Sequence, residues 1–393
     1  MDIRCGLQIS VHGLGCGRAQ PGRPFEVWAM LLARRNLAHD RTRLVLSIAG
    51  VALSVMLILL LSGYLAGIYR QASAYLDNAP GSIVVAQKGV RTFIGASSFL
   101  PNDVLEAVRA TPGVERAVPI VFQSAVLELH DRKEIASLVG YDSELGGGPW
   151  ELAAGREPTA DDEVVVDRVL ADQHGIAVGS RLKILDGEFT VVGLSNGTSL
   201  WIGSYVFARA EAVQALLRAP GVWSAIFVNP AVGVSDDEIR ARISAPGAEA
   251  YPKTDKIDND RKGIGRIYDA PLRLMVAIAF VVGVLVVGLV IYTATVERRR
   301  EYGALKAIGM RNRTLYRLVA SQALIAAVAG GLLGAGLAFG LGAVLVTWRP
   351  QFPVVIELGA VVAALGVSLV MAVLAALAPA RAIARLAPAE VFR

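Results

Sequence analysis

The stretch LVLSIAGVALSVMLILLLSGYLA, Leu44–Ala66, runs 23 residues without a charge. A hydrocarbon core of roughly 30 Å needs about 20 apolar helical residues to cross it. Three more stretches read the same way: Leu274–Tyr292, Leu318–Val346 and Leu358–Ala378 carry no charged side chain. Leu274–Tyr292 holds 13 Val, Ile, Leu or Phe residues. At roughly −0.3 to −0.6 kcal/mol each these favour insertion by about 5 kcal/mol, with no central charge opposing them. Soluble helices rarely stay uncharged for so long. With 54% hydrophobic residues and a mean hydropathy of +0.50, the 393-residue chain is too apolar for a soluble enzyme. The order is one span, about 200 residues of ordinary globular composition, then three closely spaced spans. The expected fold is an integral membrane α-helical protein of four transmembrane helices, with an α/β extracytoplasmic domain inserted between helices 1 and 2.

The charges around the spans set the topology. The net charge of +5 conceals a segregation, because residues 70–270 hold 20 Lys and Arg against 27 Asp and Glu. The short flanks are basic: Arg34, Arg35, Arg41 and Arg43 precede span one, and Arg298, Arg299, Arg300, Lys306, Arg311, Arg313 and Arg317 lie between spans two and three. Arg381, Arg385 and Arg393 follow span four, whereas the connection between spans three and four holds only Arg349 among basic residues. Positive residues stay on the cytoplasmic side. The termini and the 293–317 segment are therefore expected in the cytoplasm, with 70–270 and 347–357 outside, in the cell inner (cytoplasmic) membrane. Basic residues gathered at span ends fit anionic lipid rather than nucleic acid.

Residues 1–29 contain scattered Gly, Arg and Pro with no apolar h-region, so they are not a cleavable signal peptide. They read as disordered or not native, with Met30 an alternative start and 30–43 a basic cytoplasmic lead-in. Cys5 and Cys16 precede span one and the outer domain has no cysteine, so no structural disulfide is expected.

Within 70–270, Leu182–Leu194 alternates around Asp186-Gly187, a two-residue hairpin signal. Ser235 with Glu238 forms an S-x-x-E capping box, predicting a helix to about Ile243. Helix-like stretches at Asp103–Ala110, Glu211–Arg218 and Asp236–Ser244 each meet a Pro-Gly pair, and strands follow at Ala117–Phe122 and Ala225–Val228. Pro and Gly end a helix and redirect the chain. This grammar predicts a βαβ-type part over 79–125 plus 205–255, with an inserted β-rich part over 126–204 that includes a loop at Gly146-Gly147-Gly148-Pro149. Tyr69–Asn78 and Asp255–Pro271 read as helical stalks extending the first two spans outward, or as plain linkers.

Chemistry-bearing motifs are missing. The chain has no G-x-x-x-x-G-K-[ST], no H-E-x-x-H and no C-x-x-C. His12, His39, His130 and His174 lie far apart among polar residues, and Asp161-Asp162-Glu163 reads as a solvated turn before the strand Val164–Val166. No catalytic residue, metal site or bound cofactor is expected. The spans lack ionisable residues, which argues against a proton relay or an ion-coupled carrier.

Two features suggest work. Glu297, Arg298, Arg299, Arg300, Glu301, Tyr302, Gly303, Leu305, Lys306, Ile308 and Gly309 lie in one cytoplasmic segment, 293–317. On a helix, Tyr302, Leu305, Ile308 and Gly309 form an apolar ridge for a partner or the bilayer. In span three, Gly330 and Gly334, then Gly336 and Gly340, repeat at the spacing that lets helix backbones approach closely, within one subunit or between two.

The segment Glu297–Met310 resembles the E-R-x-x-E-[IY]-G-x-L-x-A-[IL]-G motif of FtsX/MacB-like permeases of ABC transporters, a family with DevC-like, lipoprotein-releasing and haem-exporting members. Pro379–Glu390, within the 379–393 tail, resembles that family's P-A-x-x-A-A-R-x-x-P-x-E ending. The likeness covers about residues 31–393. It implies a non-catalytic membrane subunit, a separate ATPase that uses ATP and Mg²⁺ and docks on the 297–310 helix, and a dimer with a second copy or a paralogue. A membrane-fusion protein or another extracytoplasmic partner is a further candidate. ATP-driven motion of the stalks and outer domain, called mechanotransmission in this family, would expel a hydrophobic or amphipathic substrate. The alternatives are a signalling permease that activates an extracytoplasmic hydrolase without moving cargo, and a membrane-anchored enzyme, which the missing site disfavours.

Overall fold

The computed structural model describes residues 41–129, 132–307, 310–349 and 351–384. The expectations for 1–29 and 30–40, for Ile308 and Gly309, and for the tail from Arg385 onward lie outside the described residues. Among the described residues four helices are long and apolar enough to cross a membrane: α1 (Arg41–Asn78), α6 (Lys253–Glu297), α8 (Asn312–Trp348) and α9 (Leu358–Ala384). They form one bundle, in which α1 packs on α6 and α8, and α9 packs on α8 and α6. Its interior is built largely of small and β-branched residues, among them Val51, Val55, Val287, Ala327, Ala338 and Ala364. Lipid tails are as apolar as leucine, so close backbone approach rather than hydrophobicity selects the interior. The large aliphatics face outward, as at Leu285, Leu289, Leu332 and Val373.

Between α1 and α6 stands the α/β domain. Its elements in chain order are β1 (Ile83–Gln87), β2 (Leu100–Pro101), α2 (Asn102–Arg109), β3 (Val114–Leu129), β4 (Arg132–Tyr141), β5 (Leu152–Gly155), β6 (Glu163–Asp167), α3 (Arg168–His174), β7 (Arg181–Ile184), β8 (Gly187–Ser195), β9 (Ser199–Leu200), β10 (Gly203–Arg209), α4 (Ala210–Leu216), β11 (Val222–Trp223), β12 (Ala225–Pro230), α5 (Asp236–Arg242) and β13 (Ala248–Pro252). The main sheet runs β13-β1-β12-β3-β4-β10-β6-β8-β5. At one end, β12 lies antiparallel between β1 and β3, and β1 lies antiparallel between β12 and β13. Each helical crossover therefore skips one strand, a split βαβ arrangement. α5 is capped by Ser235, whose hydroxyl accepts from the Glu238 amide, and it stops at Arg242. Glu238 does not close the box but pairs with Arg242.

The two parts of the domain divide differently from the sequence expectation. β10 and α4, placed by sequence with the first part, belong to the second. Ser204–Ala208 are buried in succession, so β10 is an inner strand needing a partner on each side, and β4 and β6 supply them. Nor is the insertion a separate body. β3 continues seven residues past Phe122, pairing first with β12 and then with β4, and joins both parts into one sheet. The predicted hairpin also shifts by one residue. β7 and β8 turn on Leu185-Asp186, with Leu185 at φ 51°, and Gly187 pairs with Ile184. The Phe189 ring closes over Gly187, where an added Cβ would lie 2.8 Å from Phe189 Cε2.

The first two spans do not end at the membrane. α1 continues to Asn78 and α6 starts at Lys253, so 67–78 and 253–273 are helical stalks in register with the spans. Pro271 lies inside α6 and removes one ladder hydrogen bond there. The stalks pack through Ile68, Ala72 and Ile264. Tyr75, near the end of α1, is buried among Phe93, Tyr205 and Phe227 in the domain, and its hydroxyl donates to Gly147 O at 2.7 Å. The triple-glycine run thus receives an anchor from the stalk. The two ends of the domain meet where Lys253 Nζ donates to Ala79 O at 2.9 Å.

A second link between bundle and domain comes from the segment 351–357. It crosses α1 over Gly63 and Gly67, with the Val355 amide donating to Gly63 O at 3.0 Å and the Phe352 ring 5.7 Å from that of Tyr64. An added Cβ on Gly67 would fall 1.8 Å from Pro353 O. Gln351 Nε2 reaches Gln173 Oε1 in α3 at 2.6 Å.

Candidate coupling site

At the other end of the bundle α6 ends at Glu297, and Arg298 breaks the helix. A short helix α7 (Arg299–Ala307) then leads back to α8 at Asn312. The predicted 293–317 segment is thus three pieces, the end of α6, all of α7 and the start of α8, rather than one coupling helix. The Glu297 carboxylate pairs with the Arg43 guanidinium of α1, so the ends of α1 and α6 remote from the α/β domain are tied by opposite charges. Lys306 Nζ donates to Ala384 O at 3.1 Å, which joins α7 to the end of α9.

Among the ridge residues, Tyr302 points inward. It is 7% exposed and shares a buried cluster with Ile291, Leu315 and Val319 of α6 and α8. Gly303 beside it is also buried. The break at Arg298 folds α7 back beneath the bundle, and the large aromatic ring fills the space it closes. Sequence periodicity identifies an apolar face but assigns it to a partner or the bilayer; at Tyr302 that face belongs to the chain's own core. The surface left open on α7 carries Arg299, Arg300, Glu301, Ala304 and Ala307, with Arg311 and Arg313 exposed just beyond. Leu305 lies within α7.

The four span-three glycines divide into two pairs. Gly330 and Gly334 lie against α1, where an added Cβ would meet Ile48 O at 2.7 Å and Ala52 O at 2.5 Å. Gly336 and Gly340 have nothing within 4 Å of such a Cβ and lie on the exposed face with Leu332, Leu337 and Phe339.

Sequence reading missed the joints between the two stalks and between the second stalk and the domain. The Tyr69 hydroxyl donates to Asp269 Oδ1 at 2.5 Å, and Arg261 Nη2 donates to Ser73 Oγ at 3.1 Å. Burial of the Tyr69 hydroxyl, then the Asp269 carboxylate that accepts from it, pushes the phenol up to about 12. Lys256 and Asp260, one turn apart on α6, are both buried against the segment after β1. The stretch Asp255–Pro271 that holds them reads in sequence only as a stalk or a linker. Gly63 and Gly67 carried a readable small-xxx-small signal.

The sequence profile of the MacB-like periplasmic core domain matches residues 44–245, and that of the FtsX-like permease C-terminal region matches residues 273–388. The chain belongs to the FtsX/MacB-like permeases of ABC transporters. As a permease of this family it is similar along nearly its whole length to an uncharacterized ABC transporter permease of Mycobacterium tuberculosis (strain ATCC 25618 / H37Rv). The two are 27% identical over 371 residues, covering 92% of this chain and 99% of the relative. It is also similar to a macrolide export ATP-binding/permease protein MacB of Burkholderia lata, 28% identical over 170 residues, or 39% of this chain and 25% of that one. Among solved structures, the periplasmic region of MacB from Actinobacillus actinomycetemcomitans aligns at a TM-score of 0.36 and 13% identity, covering 48% of this chain and 95% of that one.

Proposed function

We propose that this permease is the membrane subunit of an exporter in the cytoplasmic membrane, with both termini inside, that turns ATP hydrolysis by a separate ATPase into motion of its outer domain. The observation that carries this reading is the continuity of α1 and α6, which run unbroken from the Arg43–Glu297 pair to the buried Tyr75 and Lys256 of the domain. A displacement imposed beneath the bilayer then reaches the outer lobe through two helices rather than through loops. The ATPase, which holds ATP and Mg²⁺, docks on the open face of α7. Arg300, Ala304 and Ala307 meet it, Tyr302 fixes the helix from behind, and Glu297, Glu301, Arg298 and Arg299 orient it by charge. Two permease copies, or a copy and a paralogue, assemble through lipid-facing surfaces that include Gly336 and Gly340. The spans offer no run of ionisable groups, which fits expulsion of a hydrophobic or amphipathic molecule by the outer domain rather than passage of a polar one through the bundle.

Ala304→Asp places a charge on the exposed side of α7 without touching the core. Co-purification of the ATPase with the permease should be lost in Ala304→Asp and retained in Ala304→Ser. Intact complexes with Ala304→Asp would refute docking on this face.

A further inference from the structure

The segment 88–99 leaves β1 and returns at β2. Between it and strands β3 and β12 lies a cavity of about 130 Å³, whose walls include Thr92, Phe93, Ser98, Phe122, Ser124 and Lys256. Lys256 is 1% exposed. Its Nζ donates to Val90 O at 2.8 Å and Thr92 O at 3.4 Å, over the Tyr251 ring face at 4.8 Å. No carboxylate of the described residues forms an ion pair with it. Asp260, one turn further along α6, accepts instead from the Phe93 amide at 2.9 and 3.1 Å and from the Ile94 amide at 3.3 Å. The Asp260 and Glu249 carboxylates act on this ammonium only without direct contact, and its contacts are carbonyls and an aromatic face, whereas buried charges are ordinarily paired directly.

Gly95, Ala96, Ser97 and Ser98 line the same space. The amides of Gly95, Ala96, Ser97 and Ser98 make no hydrogen bond among the described residues. The Ser98 hydroxyl accepts from the Gln87 amide at 2.9 Å, which leaves its own proton to donate. Opposite them, the Phe93 and Phe122 rings, 4.8 Å apart, give the cavity an apolar wall.

We propose that this cavity binds a compact organic anion, its carboxylate against Lys256, Ser98 and the 95–98 amides and its apolar body against Phe93 and Phe122. The bound molecule would touch α6 directly, so its presence is felt by the same helix that carries the second span. The inference does not depend on the assembly proposed above, since binding is measured on the permease alone.

Titration calorimetry of the full-length chain in detergent, with benzoate and its neutral isostere benzamide as probes, tests it. Benzoate should bind saturably and at least tenfold more tightly than benzamide. Lys256→Met should abolish that preference. Because Lys256→Met also disturbs a buried site, Ala96→Trp serves as a second variant that fills the cavity from an exposed wall position, and it should eliminate binding while the chain stays folded. Equal affinity for the two probes, no saturable binding, or undiminished binding in Ala96→Trp would overturn the proposal.

Discussion

Tyr69 and Asp269, 200 residues apart in sequence, meet where the two stalks leave the membrane. Arg273 holds the other Asp269 oxygen at 3.0 Å, so the carboxylate is fixed from both sides. Tyr69→Phe removes one hydrogen bond and keeps the ring, at a cost of about 1 kcal/mol. Disulfide trapping between cysteines placed on the two stalks should then speed up, because the helices separate more often. An unchanged trapping rate would mean that packing by Ile68 and Ile264 alone holds them.

Gly67 predicts a sharper effect. Any side chain there collides with the backbone at Pro353, whereas a methyl at Gly336 meets nothing. Gly67→Ala should lower stability by roughly 1–3 kcal/mol as the 351–357 segment lifts from α1. Gly336→Ala should leave the isolated chain unaffected or slightly stabilised. Thermal unfolding of the two variants in detergent checks the contrast, and similar midpoints would refute it.

Asp260 makes a pH prediction. Burial raises its carboxyl from 3.8 to about 6, against the lowering effect of the Phe93 and Ile94 amides and of Lys256. Between those values the folded chain holds a proton that the unfolded chain has released, so stability falls as pH rises through that window. The fall attributable to this group is on the order of 3 kcal/mol. Asp260→Asn should flatten that part of the profile, read as the unfolding midpoint from pH 4 to 7. An unaltered slope would assign the dependence to another group.

The spans were legible because lipid leaves few options: a run such as Leu274–Tyr292 has no other stable home. The split βαβ part showed through its Pro-Gly punctuation, since helix stops are local events. The course of β3 past Phe122 was not visible, because Gln123 and Ser124 read as a strand end and only pairing with β4 carries them on. Tyr302 was found and then assigned to the wrong side, since an amphipathic pattern names a buried face but not what buries it. Lys256 and Asp260 were hidden for the opposite reason. Their charges imply solvent unless the segment folded over them is known.

The contact between Lys253 and Ala79 brings the domain's entry and exit side by side, as in a cassette inserted into a membrane protein. The cassette's true seam lies lower, however, because Tyr75, Lys256 and Asp260 complete the domain's interior while sitting on the stalks. An excised lobe beginning at Ser82 would lack its own anchors. One beginning below Tyr69 and ending beyond Asp269 would carry its foundations with it, and exchange of whole lobes between related permeases should respect that lower boundary.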